Sequence, residues 1–568
     1  MFSISLHAET VFLFQLTTQK QTTMKEKTTT TMASLLRRGV VRMAYCLATV
    51  LAALLLPSNA MADDNEDMYA LYNSTDKTLT FKYGATPTSS DENITVYDWF
   101  YSDDAYNPSW VQDQKDVTSV VFDESFAQAR PTSCNGWFQN MANLTSIKGI
   151  EYLNTEEVQY FSNMFCGCAA LNSVDLTKFN TEKATTMNSM FNGCSSMKSI
   201  NLSSFNTANV EKMAKMFYGC SSMASIDLSI FNTTNVESTK QMFCECTSLT
   251  SLDLSNFNTT SVETMTAMFD GCSNLNSIYV SDKFVTTSVE KSSGMFTGCT
   301  SLVGAAKYDE NSTDVTMANY KTGYFKTYYK IGDMKHDLCG ETLSVTDLVL
   351  DDGKDFVALA PFTANNASYS RTMASNYGTL CLPFAVETAS NADSKFYGIE
   401  SVDNDVITLN QFDGTIAAGT PVFVYSTNGL NISASNVDVL TAPAEGAQAN
   451  GWQLIGSFTE TEVPDEGYII SKNKFWLTSD LKSKATAVKT KGLRAWLKAG
   501  SEGSEARATS LSIFAEDDMD EETAIDAVEA LTEGTAEIYD VQGRRTDRLQ
   551  KGLNIVKTNG VTKKIMVK

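Results

Sequence analysis

The chain has 568 residues, with 44 Lys and Arg against 67 Asp and Glu, and at roughly 100 to 200 residues per domain this length predicts several domains. The formal net charge of −23 argues against a nucleic acid partner, because phosphate binding needs Lys and Arg to displace counterions. The chain has two histidines, His7 and His336, which are too few for a multi-histidine metal site. We therefore predict no catalytic residues, no metal and no cofactor.

Residues 1–62 have the features of an export signal. An arginine-rich stretch precedes an apolar run from Ala44 to Leu56, and Ala60-Met61-Ala62 places small residues where a signal peptidase cleaves. The run is shorter than the roughly twenty residues that span a membrane. We expect cleavage after Ala62, a true start at Met24 or Met32, and a mature chain without a transmembrane segment. Residues 63–136 are predicted to be an N-terminal capping region.

A period of 26 residues organises the middle of the chain, and Met-Phe pairs and a phenylalanine column keep the same step. A fixed period of this length is typical of stacked repeat architectures. The pattern predicts about five full copies between two partial ones over residues 137–303. One cysteine recurs in each copy: Cys168, Cys194, Cys220, Cys246, Cys272 and Cys299.

Within each copy the apolar spacing predicts one helix followed by one strand. In the third copy the apolar residues from Val210 to Cys220 fall at offsets that share one face of an α-helix. The Leu-x-x-Ile-x-Leu segment that follows alternates inward as a short strand. Stacked copies would form an α/β, leucine-rich-repeat-like solenoid of 26-residue helix–strand repeats, with strands on one side and helices on the other.

The cysteine ladder is predicted to be a set of inert thiols in the core, because its members would point the same way along the stack. A zinc site needs ligands that converge on one point, whereas ladder residues are displaced along the axis. Cys166 and Cys244 lie outside the ladder, three copies apart, which is too far for a disulfide within one chain. For Cys134, Cys339 and Cys381 disulfide bonding and free thiols are both open.

The outward strand positions of the repeats carry small hydroxyl and acidic side chains. A solvated sheet face and a broad recognition surface both explain this pattern, since repeat proteins bind partners on their extended face. One aromatic residue occurs there, so we favour protein partners over glycans, which need several rings for stacking. The candidate partner-binding residues are Asp175, Asn201, Asp227, Asp253 and Tyr279.

Residues 235–259 resemble the repeat of the BspA-like leucine-rich repeat surface proteins of anaerobic Gram-negative bacteria. The shared motif is Asn-Val-Glu-x-Met-x-x-Met-Phe-x-Gly-Cys-Ser-x-Leu-x-Ser-Leu-Asp-Leu-Ser-x-Phe-Asn-Thr, and the chain departs from it at Thr239, Glu245 and Thr247. The resemblance implies a non-enzymatic surface protein, often an adhesin for host extracellular-matrix or bacterial partners.

Residues 304–515 show β-branched and aromatic runs separated by turn dipeptides, which predict a β-rich, sandwich-like region of one or two domains. His336 lies three residues before Cys339. The two could form a catalytic pair, but we favour a surface histidine beside a structural cysteine. Trp452, Trp476 and Trp496 are expected in the core, although this region is also where a glycan site would be placed.

The end of the chain divides into two predicted segments. Residues 516–536 are acidic and form a linker, and residues 537–568 contain three short strands around an Asn559-Gly560 turn. The last segment resembles the C-terminal sorting or anchoring modules of exported proteins of the same bacterial group. Together the segments predict a secreted or cell-surface adhesin that binds proteins through its repeats. The alternative is a glycan-capturing surface protein that uses residues 304–515.

Overall fold

The computed structural model describes residues 68–98, 108–110, 116–403, 406–449, 451–471, 473–481, 487–499, 510–515, 536–540, 542, 544–546, 552–558 and 561–567. The predicted signal segment 1–62 and all but the last residue of the predicted linker 516–536 lie outside these ranges. The described residues all belong to one compact unit. Within the described ranges, no helix is long and apolar enough to cross a membrane.

A mixed sheet of five strands precedes the repeats, in the order β3-β1-β2-β4-β5. Alternating side chains of β1 and β2 point into a core of stacked and edge-on aromatic rings that includes Phe81, Trp110 and Trp137. β5 already belongs to the first copy of the predicted repeat range. The strands are β1 (Met68–Asn73), β2 (Thr78–Tyr83), β3 (Ile94–Asp98), β4 (Ser119–Phe122) and β5 (Ser146–Lys148).

The predicted helix–strand solenoid is wrong, because the repeats contain turns where helices were expected. The segments assigned to helices, such as 210–220, consist of successive turns and isolated bridge residues. The α-helix α1 (Thr478–Leu481) lies outside the repeats in the sequence. The stack of 26-residue copies is therefore an arrangement of turns and short β-bridges, which we call the repeat stack.

Backbone hydrogen bonding explains why these segments are not helical. The N–H groups of Phe165 and Gly167 donate to carbonyls of the next copy, at 2.8 and 2.6 Å. Those of Cys166 and Cys168 close four-residue turns, each donating to the carbonyl three residues earlier, at 3.0 and 3.1 Å. Alternate amides thus bond between copies, whereas a helix would bond each amide to the residue four before it. Turns that advance by three residues bring the same apolar side chains inward as a helix would.

Two residues in each copy take the left-handed backbone conformation that turns of this kind require. One column is mostly glycine, including Gly167, Gly193 and Gly271, with φ between 75° and 77°. Glycine adopts this region without the steric penalty of a Cβ. The second column has ordinary side chains at φ between 52° and 59°, at Asn163, Ser189, Lys215, Gln241 and Ala267.

Regular ladders of side chains hold the copies together. The rings of Phe165, Phe191 and Phe217 stack with centroid separations of 5.5 and 5.7 Å and nearly parallel planes. Thr207 is buried, and its hydroxyl donates to the carbonyl of Asn232 and accepts from the same residue's N–H. Parallel bridges link equivalent residues of all copies along one side: Ser133, Tyr160, Thr186, Lys212, Ser238, Thr264 and Lys291.

The predicted strand of each copy forms only towards the ends of the stack. β6 (Ser251–Asp253) and β7 (Ser277–Tyr279) pair in parallel, and β7 pairs in turn with β8 (Phe325–Ile331). The corresponding segments 173–175, 199–201 and 225–227 are not strands. β8 therefore carries the sheet of the last repeats into the region that follows, and Phe325 covers the end of the phenylalanine ladder.

The strands of residues 304–515 are divided among several sheets of different sizes, not the two facing sheets of the predicted sandwich-like region. β8 joins β6, β7, β9 and β11; three strands form a sheet in the order β10-β12-β19; ten form another in the order β13-β18-β15-β16-β27-β24-β23-β26-β21-β20. The two remaining pairs are β14-β17 and β22-β25.

The strand bounds of this region are β9 (Met334–Leu338), β10 (Ser344–Asp351), β11 (Phe356–Ala358), β12 (Phe362–Arg371), β13 (Tyr377–Leu380), β14 (Val386–Glu387), β15 (Lys395–Asp403), β16 (Val406–Gln411), β17 (Thr415–Ile416), β18 (Val422–Tyr425), β19 (Leu430–Val439), β20 (Gln448–Ala449), β21 (Trp452–Ser457), β22 (Thr461–Glu462), β23 (Gly467–Ser471), β24 (Lys474–Leu477), β25 (Lys489–Thr490), β26 (Arg494–Lys498) and β27 (Ser510–Ala515). The C-terminal sheet has the order β29-β28-β30-β31. Its strands are β28 (Ala536–Tyr539), β29 (Arg545–Thr546), β30 (Gly552–Thr558) and β31 (Val561–Val567).

Candidate functional site

The candidate residues of the predicted strand side lie on one surface of the repeat stack, which we call the outer face (Asp175, Asn201, Asp227, Asp253 and Tyr279). Asp175, Asn201 and Asp227 are exposed. Each accepts a hydrogen bond from the backbone N–H two residues later, at 2.9 to 3.0 Å. Either Asp or Asn can close such a turn, so the residue type at this position has a structural reason in these three copies.

The turns also affect the acidity of the two carboxyls. The hydroxyl and backbone N–H of Thr177 lower the pKa of Asp175, and the backbone N–H and hydroxyl of Ser229 lower the pKa of Asp227. Both side chains are therefore negative at neutral pH. The two carboxylates lie two copies apart, and the neutral amide of Asn201 occupies the equivalent place in the copy between them.

Asp253 and Tyr279 have different surroundings, because strands β8 and β9 lie beside them. The ring of Tyr279 meets the ring of Tyr328 edge-on, with centroids 5.6 Å apart and planes at 76°. The Lys335 Nζ lies 3.0 Å from the Tyr279 centroid and 4.1 Å from the Tyr328 centroid. Asp337 completes the group, and we call these five residues the Lys335 cluster.

Charge complements the rings in the Lys335 cluster. The Asp253 Oδ2 lies 3.7 Å from the Lys335 Nζ and accepts a hydrogen bond of 3.2 Å from the Tyr328 hydroxyl. Burial, followed by the charge of Asp337, raises the pKa of Tyr279 to about 12, so the phenol stays neutral. Lys326, in turn, forms an ion pair of 3.2 Å with Asp337.

The pairing of β8 with β9 brings these side chains together. Tyr328 lies opposite Asp337 and Lys330 lies opposite Lys335 in the antiparallel register, and side chains directly opposite each other share a face of the sheet. Sequence reasoning missed this hairpin. The signal was present, since Gly332 and the following aspartate form a turn dipeptide between two alternating segments.

The six ladder cysteines lie in the interior of the repeat stack. Each thiol donates to the carbonyl of the phenylalanine in the preceding copy, as Cys220 does to Phe191 at 3.2 Å. Burial raises the pKa of the Cys220 thiol well above its usual value. Since the thiolate is the reactive form of cysteine, these groups are poorly suited to nucleophilic chemistry. The buried members are Cys168, Cys194, Cys220, Cys246, Cys272 and Cys299.

The cysteines left open by the sequence are also free thiols, as are all eleven in the described part of the chain. Cys134 and Cys381 are buried, and Cys339 is exposed. Cys381 donates to the carbonyl of Gly419 at 3.2 Å. Cys166 is half-buried and Cys244 is buried, and neither forms a disulfide.

The other residues of 304–515 that were candidates for a catalytic or glycan site pack against, or hydrogen-bond to, the chain itself. His336 stacks on the ring of Tyr329 at 4.6 Å, on the side of β9 opposite Lys335. Trp496 is buried, the ring of Trp452 packs against Tyr468, and the Trp476 indole donates to a backbone carbonyl. Among the described residues, no group of three or more His, Cys, Asp or Glu side chains is placed to hold a metal ion.

Comparison with known protein families gives a match on the repeats. The family described as "Mycoplasma protein of unknown function, DUF285" matches residues 132–250 and 219–328. These ranges begin at the entry to the repeat stack and end within β8. No curated protein and no solved structure matches the chain. The match is consistent with a repeat-containing surface protein.

Proposed function

We propose that the chain is a non-enzymatic protein of the BspA-like type, secreted or held at the outer cell surface, that binds host or bacterial proteins through the outer face of its repeat stack. The observation that carries the proposal is the repetition of one exposed, polar turn at the same place in successive copies, at Asp175, Asn201 and Asp227. Repeat proteins use such extended surfaces to contact a partner over several copies at once.

The fixed geometry of these turns favours binding. A side chain that already accepts a backbone hydrogen bond has little rotational freedom left to lose when a partner arrives. Asp175 also accepts from the Thr177 hydroxyl at 2.7 Å, which holds the carboxylate more firmly. The outer face therefore presents ordered acceptors without a large entropic cost of binding.

The cysteines support the non-enzymatic part of the proposal. A nucleophilic cysteine needs an accessible thiol whose pKa is lowered by nearby positive charge. The ladder thiols are buried and their pKa values are raised, as for Cys194 and Cys272. Their regular place between successive phenylalanines indicates a packing role.

A test of the outer face should leave the turns intact. We would replace the exposed Ser173, Ser199 and Ser225, which adjoin the turn residues, with lysine in the full mature chain. Capture of proteins from host matrix and from neighbouring bacteria, identified by mass spectrometry, would be compared with the unmodified chain. We expect the triple variant to lose the captured partners.

A matched control adds the same three charges elsewhere on the repeat stack, at Ala208, Thr234 and Thr260. This variant should keep its partners. Equal capture by the serine-to-lysine variant and the unmodified chain would show that the outer face is not the binding surface. A glycan array probed with the same proteins would test the alternative that residues 304–515 bind glycans.

A further inference from the structure

One lysine of the chain, Lys335, places its ammonium group against two tyrosine rings. The Lys335 Nζ lies against the faces of two tyrosine rings, at 3.0 Å from the Tyr279 centroid and 4.1 Å from the Tyr328 centroid. Aromatic faces attract cations because the ring quadrupole is negative there. Rings at 76° to each other form two walls of a corner.

Carboxylates add directed charge to this corner. The Asp253 Oδ2 lies 3.7 Å from the Lys335 Nζ, and Asp337 lies opposite Tyr328 on the neighbouring strand. Asp253 is held in place by Ser255 N–H at 3.0 Å and by the Tyr328 hydroxyl at 3.2 Å. The rings and carboxylates are thus ordered by contacts that do not involve Lys335.

The occupant is not sealed inside. The side chain of Lys335 is 27% exposed and that of Asp253 is 42% exposed, so the corner opens to solvent. Burial lowers the pKa of Lys335, because desolvation disfavours its charged form. Withdrawal of the Lys335 ammonium into water would recover that lost solvation and free the corner, while the Lys330 Nζ remains 5.1 Å from the Tyr328 centroid.

We propose that Tyr279, Tyr328 and Asp253 form a cation cage that receives a lysine side chain of a protein partner, and that Lys335 is an internal occupant which the partner's lysine displaces. The proposal rests on the proposed function to the extent that the ligand is a protein. The cage lies at the end of the outer face, where β7 meets β8, so one partner could contact both.

The internal occupant sets the affinity. A tethered group competes at an effective concentration in the millimolar range or above, so a small ammonium ion cannot easily displace Lys335. A protein partner adds contacts along the outer face that offset this competition. Removing the Lys335 side chain should therefore strengthen binding of a small ammonium ion and of a partner's lysine.

The first experiment uses n-butylammonium, which has the length and charge of a lysine side chain, as the probe. Its binding to the mature chain would be followed by NMR or by titration calorimetry, for the unmodified protein and for Lys335→Ala. We expect the variant to bind at least about tenfold more tightly. Lys321→Ala, which removes an exposed lysine outside the cage, should behave like the unmodified protein.

A second variant separates the cage from other effects. Lys335→Ala combined with Tyr279→Leu should lose the gained binding, because one wall of the cage is gone. If Lys335→Ala does not fold, Lys335→Met keeps the aliphatic stem and removes the charge. Equal n-butylammonium binding by the folded variant and the unmodified chain would overturn the proposal.

This experiment needs no natural partner, so it fails or succeeds independently of the proposed function. An empty cage that binds n-butylammonium, in a chain whose outer-face variant retains its partners, would support the cage and reject the outer face. Loss of partners on outer-face substitution, with no ammonium binding by Lys335→Ala, would support the proposed function and reject the cage.

Discussion

The left-handed turn positions of the repeat stack allow a direct test of its backbone against the helical alternative. Ser189 and Gln241 occupy equivalent places in two copies, with φ of 55° and 54°. The apolar spacing would place both within helices. The alanine and glycine variants at each position both lack the native side chain, so the cost of losing it cancels in their difference. The difference in stability between the two variants then reports on the backbone conformation.

The two structures predict opposite signs. In a helix, alanine is more stable than glycine by about 1 kcal/mol. In the left-handed region alanine carries a penalty of roughly 1 to 2 kcal/mol. The greater freedom of glycine in the unfolded chain offsets about 0.4 to 1 kcal/mol of this. Glycine should then be more stable than alanine at both positions by about 0.8 kcal/mol, the middle of a range of roughly 0 to 1.6 kcal/mol.

Urea denaturation followed by circular dichroism would measure the difference, provided that the m-value is unchanged between the variants. Lys198 serves as the control, because it is exposed and is not among the residues with positive φ. There alanine should be at least as stable as glycine. If alanine is the more stable residue at Ser189 and Gln241 as well, the turn-based description of the repeats is refuted.

Three further outcomes follow from the packing. An alkylating reagent at pH 8 should label the exposed Cys339 in the native chain but the six ladder cysteines only after unfolding, since burial keeps their pKa values high. Labelling of the ladder cysteines in the native chain, detected by mass spectrometry, would contradict their buried position. Thr207→Val should lower the free energy of unfolding by about 1 to 3 kcal/mol, because it leaves the backbone N–H and carbonyl of Asn232 without their partner. Thr207→Ser keeps the hydroxyl and should lower it by less. Equal losses of stability in the two variants would show that these hydrogen bonds are not the cause. Burial would raise the pKa of Asp352, but its hydrogen bonds to Arg494 and Tyr369 lower the pKa on balance. The stability that the charged Asp352 contributes to the fold is therefore present above the unfolded pKa of about 4, and it is lost as the pH falls through the folded pKa. Asp352→Asn should therefore flatten the acid limb of a stability–pH curve, and an unchanged limb would show that this carboxylate does not contribute.

The periodic part of the fold was predictable because it depends on residues that recur at one step. The period of 26 residues, the cysteine ladder and the phenylalanine column required only that the same side chains repeat. The backbone conformation of the segments between these residues could not be predicted. Turns that advance by three residues and a helix of 3.6 residues per turn both bring Val210, Met213 and Met216 to the same side. A glycine such as Gly193 indicates a turn in the sequence, because glycine readily adopts the left-handed conformation. Ser189 adopts the same conformation, but a serine does not indicate it.

The Lys335 cluster shows why the candidate site was only partly predictable. Asp253 and Tyr279 could be placed on the outer face from the repeat alone. Their partners Tyr328 and Lys335 lie outside the period, and they arrive through the pairing of β7 with β8 and of β8 with β9. Long-range pairing of this kind leaves no periodic trace in the sequence, so a residue predicted to be available to partners has its ring covered by the chain's own lysine.

In the middle of the outer face the same turn is kept from copy to copy, while a nearby residue changes. Each turn there is closed by one Asp or Asn oxygen and a backbone N–H, while the phenylalanine, threonine and cysteine ladders hold the copies together from other positions. The position three residues after the turn-closing side chain accordingly varies within the chain, although the turn itself is kept. Local closure of the turn by an Asp or Asn side chain thus allows a neighbouring surface residue to differ between copies. The residues at that position are Lys178, Ser204, Ile230 and Asn256. In the next copy, which follows a step of 27 residues, the equivalent residue is Lys283.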